Sequence, residues 1–329
     1  MLTRRNFLQL TAGVGVVAGA SYGSLFDRLG ALAQEDDFKD LKINRYTVKV
    51  GAEKPFKAVH ISDTHITFAD EREIERKLKL AEARLHTFPK SVQSFAASIA
   101  YAKSLDAPIL HTGDMIDFLS EKNLEYTRDH FMPAADSGQY DNWFVSAGNH
   151  EYSHYLGEAK EDEDYKNASF DRVQKYYPNN LRFASRVING VNFIAFDDVY
   201  YYVADDLIDR FKGEIDKGLP IVTMCHVPFY TEALIKYMTV DLGHSGAWIT
   251  AVPDDAAHEY YKQNYERWRY QYGNEATFKF VDWIKEQPLI KALLCGHLHV
   301  DFDSDFSSTA RQYVAGGNYY GAVNEFTFE

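Results

Sequence analysis

Cysteine is nearly absent: Cys225 and Cys295 are the whole supply in 329 residues, so at most one disulfide can form. Each ends a short apolar run, where strand alternation turns the thiol towards the core. Adjacent strands seldom meet disulfide geometry, and both residues read as free buried thiols. Positive charge is scarce as well. Against 48 Asp and Glu stand 35 Lys and Arg, for a net charge of -13, which argues against the basic stripe that nucleic acid requires. Long apolar runs are missing too: the stretch from Leu10 to about Ala20 falls short of the ~20 residues that span a bilayer. No internal repeat or low-complexity linker divides the chain, so its motifs belong to one sizeable domain.

What is present is a series of short polar motifs in a fixed order: Asp63-Thr64-His65, Gly113-Asp114, Gly148-Asn149-His150-Glu151, His226 and Gly296-His297-Leu298-His299. Each follows a brief apolar run that suits a buried strand: Lys57–Ser62, Ala107–His111, Asn142–Ala147, Ile221–Cys225 and Lys291–Cys295. Ligands of open α/β sheets sit beyond the carboxyl ends of strands, so residues scattered along the chain are expected to converge there. Asp, Asn and His together suit borderline divalent ions, and the eight such residues in these motifs are too many for one ion but enough for two. Asp63 and His65 are two apart, so one strand end can aim both at one ion, and His297 and His299 repeat that spacing.

This ordered set resembles the calcineurin-like metallophosphoesterase family over roughly residues 56 to 300. The resemblance implies a four-layer α/β/β/α sandwich of two mixed β-sheets flanked by helices. It implies two divalent metal ions (Mn, Fe or Zn), with Asp63, His65 and His299 on one, Asn149, His226 and His297 on the other, and Asp114 bridging them. His150 is then a catalytic residue that faces the substrate without ligating. The reaction so implied is hydrolysis of phosphomonoesters or phosphodiesters by metal-activated hydroxide, on a small phosphoester substrate. A metal-dependent nuclease and a non-catalytic binding module on the same fold are the alternatives. Asp117 reads as an acceptor for a neighbouring group, and His60 and His111 as strand histidines with local hydrogen bonds.

The amino terminus resembles a twin-arginine-type export signal. Arg4-Arg5-Asn6-Phe7-Leu8 precedes the mild apolar run, and Ala31-Leu32-Ala33 offers a cleavage site. The expected organisation is therefore a signal peptide over 1–33 and the enzyme domain over 34–329, passed by the twin-arginine translocation machinery to the periplasm or outside the cell. An uncleaved leader acting as an anchor is the minority alternative; after cleavage no stable membrane span is expected. Between motifs, helices are expected over Glu71–His86 and Ser91–Leu105, broken at Pro89. A strand at Lys42–Val50 is expected to pair with Phe56–Ser62. Asn189-Gly190 marks a hairpin between Arg182–Ile188 and Val191–Phe196. Thr309–Ala315 and Ala322–Phe328 are expected to close the second sheet. Two insertions, Tyr152–Asn180 with its acidic Glu158–Asp164 and the aromatic Tyr230–Gly273, are expected to frame the cleft. The latter is either a lid or a support in which Ala256–Tyr270 packs as an amphipathic helix; aromatics at helical spacing favour the support.

Overall fold

The computed structural model describes residues 38–131, 142–155 and 162–329. The leader over 1–33 and most of the acidic Glu158–Asp164 stretch lie outside the described residues. Among the described residues five strands form one sheet: β1 (Lys42–Val48), β2 (Phe56–Ile61), β3 (Ile109–His111), β4 (Trp143–Val145) and β11 (Ala322–Phe328), in the order β1-β11-β2-β3-β4. Six form the other: β5 (Phe183–Ile188), β6 (Val191–Phe196), β7 (Ile221–Met224), β8 (Ile290–Cys295), β9 (Phe302–Asp305) and β10 (Arg311–Val314), in the order β5-β6-β7-β8-β10-β9. Both sheets mix parallel and antiparallel pairs.

Strand alternation explains the layers. Ala58, Leu110, Phe144, Phe326 and Phe328 of the first sheet meet Phe193, Val222, Met224 and Leu294 of the second in one buried cluster. Their neighbours along the strands point outward. Val59, Ile61, Ile109 and Val145 pack with Phe95, Leu124 and Phe131 of the helices Ser91–Ser104 and Glu121–Phe131. On the far side, Ile194, Phe196 and Leu293 pack with Leu207, Phe211 and Phe280 of the helices Leu207–Ile215 and Glu275–Lys285. The result is the expected four-layer α/β/β/α sandwich.

Local chemistry was a sound guide to the hairpin. β5 and β6 pair antiparallel, with Asn189 at φ +47° and Gly190 at φ +79°, the left-handed pair that a two-residue turn needs. Two pairings differ from expectation. β1 does not pair with β2; β11 lies between them, parallel to β1 and antiparallel to β2, and so belongs to the first sheet rather than the second. The reason lies in burial: β11 is covered on both faces, with Phe326 and Phe328 fully buried, whereas β1 alternates exposed and half-buried residues as an edge strand does. Burying two phenylalanines contributes about 1.5–3 kcal/mol each.

Much of the segment over 230–273 packs as core. Ala256–Tyr270 is not one helix: α-helix over Asp254–Tyr261 and Tyr265–Trp268 alternates with 3₁₀ turns, and Lys262 at φ +46° makes the first break. Its apolar residues still pack as core, because Tyr261, Trp268, Leu234 and Ile249 cluster with Val314 of β10 and with Leu298, which sits between His297 and His299. Among the described residues no helix is long and apolar enough to cross a membrane.

Candidate metal centre

Five loops, each leaving the carboxyl end of a parallel strand, carry the motifs to one place. Loops after β2, β3 and β4 come from the first sheet, and those after β7 and β8 from the second. The first two are laced together, since Asp63 N donates to Gly113 O at 3.0 Å and His65 N to Asp114 O at 3.0 Å. Gly113, at φ +93°, lets the third approach: a Cβ there would stand 2.4 Å from Gly148 N. Gly148 in turn has no room for a side chain, because its Cβ would stand 2.2 Å from Asp114 Oδ1.

The backbone at the site is unusual in a way composition did not announce. Asp63, His65, Asp114, His297 and His299 all have φ between +51° and +70°. Non-glycine residues adopt this region rarely, and runs of it cluster where a site must be held in one geometry.

Asp63, His65 and His299 bring ligand atoms together, and so do Asp114, His226 and His297; His65, Asp117 and His150 form a third such group, whose Asp117 carboxylate is already engaged by Arg84. In the first group Asp63 Oδ1 lies 3.1 Å from His299 Nε2, and His65 Nε2 3.1 Å from the same nitrogen. In the second, His226 Nε2 lies 3.3 Å from Asp114 Oδ2 and 3.2 Å from His297 Nδ1. Asp114 Oδ2 is also 3.8 Å from His65 Nε2, so this one oxygen reaches both groups. Asn149 Oδ1 is buried and has no hydrogen-bond partner. Asp63 Oδ1 lacks one as well, although His299 stands close, while its Oδ2 accepts from His297 N at 2.9 Å. Buried acceptors without donors are costly unless a cation completes them, so the donor set fits metal ions.

Charges follow from burial and neighbours. Burial opposes a proton on His226, but Asp114 and Asp63 outweigh it and push the imidazole up to about 10. His297 is held neutral, pushed down to about 3 by burial and by His226. His150 also has burial against it, yet Asp114 and Asp117 raise its proton affinity. Its Nδ1 donates to Asp117 O at 2.6 Å, which leaves Nε2 on the partly exposed side, 3.8 Å from Asp114 Oδ2.

Asp117 is an acceptor already in use: His65 Nδ1 at 3.0 Å and Arg84 Nε and Nη2 at 2.6 and 2.8 Å occupy its carboxylate. His60 and His111 have local partners as expected, Thr112 Oγ1 at 2.8 Å and Thr64 Oγ1 at 2.9 Å. Cys225 and Cys295 are free and buried, their sulfurs 3.6 Å apart.

Three neighbours of the candidate site carry no mark in the sequence that assigns them to it. Arg84 sits in the helix Glu75–Thr87, and nothing in that helix marks it. Asp198, whose Oδ1 accepts from His226 N at 3.0 Å, follows β6 and could have been found as one more acid at a strand end. Glu151 lay within a motif without a role. Its buried carboxylate accepts from Asp114 N, Met115 N and Tyr177 Oη at 2.8 Å each and from Gly148 N at 2.6 Å, pinning two site loops together. Burial and Asp114 push its carboxyl up to about 7, against which these donors favour the charged form. Glu151→Gln sets an amide N–H against those donors. It should lower stability by roughly 1–3 kcal/mol, read as a fall in the midpoint of urea unfolding; an unchanged midpoint would show that the clasp carries little.

A family model for calcineurin-like phosphoesterases matches residues 56–301. The chain belongs to that family. Its members are metal-dependent phosphoric ester hydrolases, and the match runs from the start of β2 to just past the last histidine motif. Solved structures similar to it include a putative 5'-nucleotidase from Staphylococcus aureus, at 12% identity over 80% of this chain and 49% of that one, TM-score 0.37. Another is a dimetal phosphatase from Danio rerio, at 11% identity over 82% and 91%, TM-score 0.38. A third is a phosphopantetheinyl hydrolase from Mycobacterium tuberculosis, at 12% identity over 80% and 90%, TM-score 0.41. The chain spans about half the length of the 5'-nucleotidases from Staphylococcus aureus and Candida albicans, 49% and 48%. No curated protein sequence gives a significant match.

Proposed function

We propose that this chain is an exported, dinuclear-metal phosphoesterase that cleaves phosphomonoesters or phosphodiesters. The observation that carries this reading is the meeting of two three-residue donor groups at Asp114 Oδ2. Asp63, His65 and His299 would hold one ion and Asn149, His226 and His297 the other, with Asp114 shared between them. Manganese, iron and zinc all suit such a mixed set. When bound, the pair would generate a nucleophile from water at neutral pH and neutralise charge on the phosphoryl oxygens.

The chain's own groups do the rest. Thr112 O accepts from His226 Nδ1 at 2.7 Å and so keeps Nε2 turned to Asp114. Arg84 fixes the Asp117 carboxylate that orients His65, and Asp117 O orients His150. His150 Nε2, on the open side, is then poised to stabilise charge or give a proton at the leaving oxygen. The test is the metal-reconstituted protein on a panel of aryl phosphomonoesters and phosphodiesters. Turnover that a chelator abolishes is expected; turnover that survives complete metal removal would overturn the reading.

Export rests on Arg4 and Arg5, with the domain proper taken as 34–329 and the twin-arginine translocation machinery as partner. Guanidinium and ammonium differ in shape and hydrogen-bonding geometry, so lysine does not replace arginine in a recognised pair. The double variant Arg4→Lys, Arg5→Lys should leave active enzyme in the cytoplasm, while the parent crosses the membrane and begins near Gln34. Fractionation with amino-terminal sequencing reads both. Export of the lysine variant at parental levels points to another route, and an exported parent that retains 1–33 points to an anchor.

A further inference from the structure

The site histidines have their outer ring nitrogens held in different ways. His65 Nδ1 meets the Asp117 carboxylate and His226 Nδ1 the Thr112 carbonyl, both acceptors of the kind expected. His297 is reversed. Its Nδ1 turns inward, 3.2 Å from His226 Nε2, and its Nε2 points away to the Tyr201 hydroxyl at 3.0 Å. The tyrosine ring stands edge-on to the imidazole, 5.7 Å between centroids, and is itself buried.

Tyr201 does not reach this position cheaply. It and Tyr200 are consecutive bulky residues at φ +69° and +67°, a conformation that normally falls to glycine or asparagine. Something must hold the turn. Tyr201 N donates to Asp198 O at 3.2 Å, and Tyr201 O accepts from Thr250 Oγ1 at 2.7 Å. Thr250 is buried within the 230–273 segment and is tied at both backbone groups, by Thr250 N to Pro228 O at 3.0 Å and Tyr230 N to Thr250 O at 2.9 Å.

We propose that Tyr201 is a positioning residue that fixes the ring orientation of His297, and that the 230–273 segment serves the site by clamping Tyr201 through Thr250. The proposal rests on the reading of His297 as a metal ligand. For Nδ1 to ligate, the imidazole must be neutral with its proton on Nε2, and the tyrosine oxygen at 3.0 Å is placed to accept from that N–H. Losing such a partner behind a ligating histidine typically weakens metal affinity about 10–100-fold.

The experiment is calorimetric titration of Mn²⁺ into the metal-free full chain, as wild type, Tyr201→Phe and Thr250→Val, with thermal unfolding of each metal-free protein alongside. Phenylalanine keeps the ring and removes only the hydroxyl. The expected result is two binding steps in the wild type and, in Tyr201→Phe, one step weakened about 10–100-fold with the other unchanged and the metal-free midpoint near that of wild type. Thr250→Val should weaken the same step by less. Wild type with two steps and Tyr201→Phe identical at both would overturn this proposal alone. Equal weakening of both steps with a lowered metal-free midpoint would make Tyr201 a packing residue and overturn it too. A wild type that takes up no Mn²⁺ would overturn the metal-centre reading and this proposal with it.

Discussion

Asp114→Asn is expected to empty both halves of the metal centre and to cut kcat/KM by roughly 10³-fold or more, since the ions supply several kcal/mol of transition-state stabilisation. The residue is buried, and its two oxygens do different things. Oδ1 accepts from His150 N at 2.9 Å, while Oδ2 lies 3.3 Å from His226 Nε2 and 3.8 Å from His65 Nε2. An amide can keep the first contact. It cannot keep the second, because an NH₂ has no lone pair to offer a cation and the negative charge is gone. Since one oxygen reaches both donor groups, losing it should lower metal content at both rather than at one. Elemental analysis of the reconstituted variant decides the matter; one ion held at parental occupancy would show that Asp114 serves a single site.

The opposite pattern is expected for His150→Ala: metal content near that of the parent, with kcat lower by about 10²–10⁴-fold, the usual range for a lost proton-transfer group. His150 is adjacent to Asn149 in sequence, yet it differs from the ligand candidates in what its nitrogens meet. Nδ1 is spent on the Asp117 carbonyl, and Nε2 stands off at 3.8 Å from Asp114 on the side open to solvent. Its nearest ring neighbour is His65, edge to face at 4.6 Å between centroids, so removing it leaves the buried donors in contact with one another. Steady-state kinetics at saturating metal, with metal analysis on the same samples, separates the roles. A variant that loses an ion would make His150 a ligand.

Much of this centre was legible because its signals are local. A polar motif at the end of an apolar run marks a strand end, and ligands gather at strand ends whatever the order of strands. The Asn189-Gly190 turn is legible for the same reason, since its two left-handed residues suffice to join β5 and β6. The insertion of β11 between β1 and β2 was not legible, because it depends on which strand gains most from cover on both faces, a property of the assembled sheet. The break at Lys262 and the left-handed tyrosines at 200 and 201 escaped as well, for neither lysine nor tyrosine signals positive φ. Nor did the helix Glu75–Thr87 reveal Arg84, whose carboxylate partner Asp117 is distant in sequence. Five of the seven ligand candidates, Asp63, His65, Asp114, His297 and His299, sit at φ +51° to +70°; the hydrogen bonds between loops that hold Asp63 and His65 there link residues far apart in sequence.

One shared carboxylate, Asp114, and six flanking donors are proposed to form a centre for two ions. Metal count on the reconstituted protein, by elemental analysis against amino-acid quantitation and paired with turnover of an aryl phosphoester, tests it most directly. Close to two divalent ions per chain are expected, with turnover that disappears as they are chelated. A fully active protein with one ion, or with none, would contradict it.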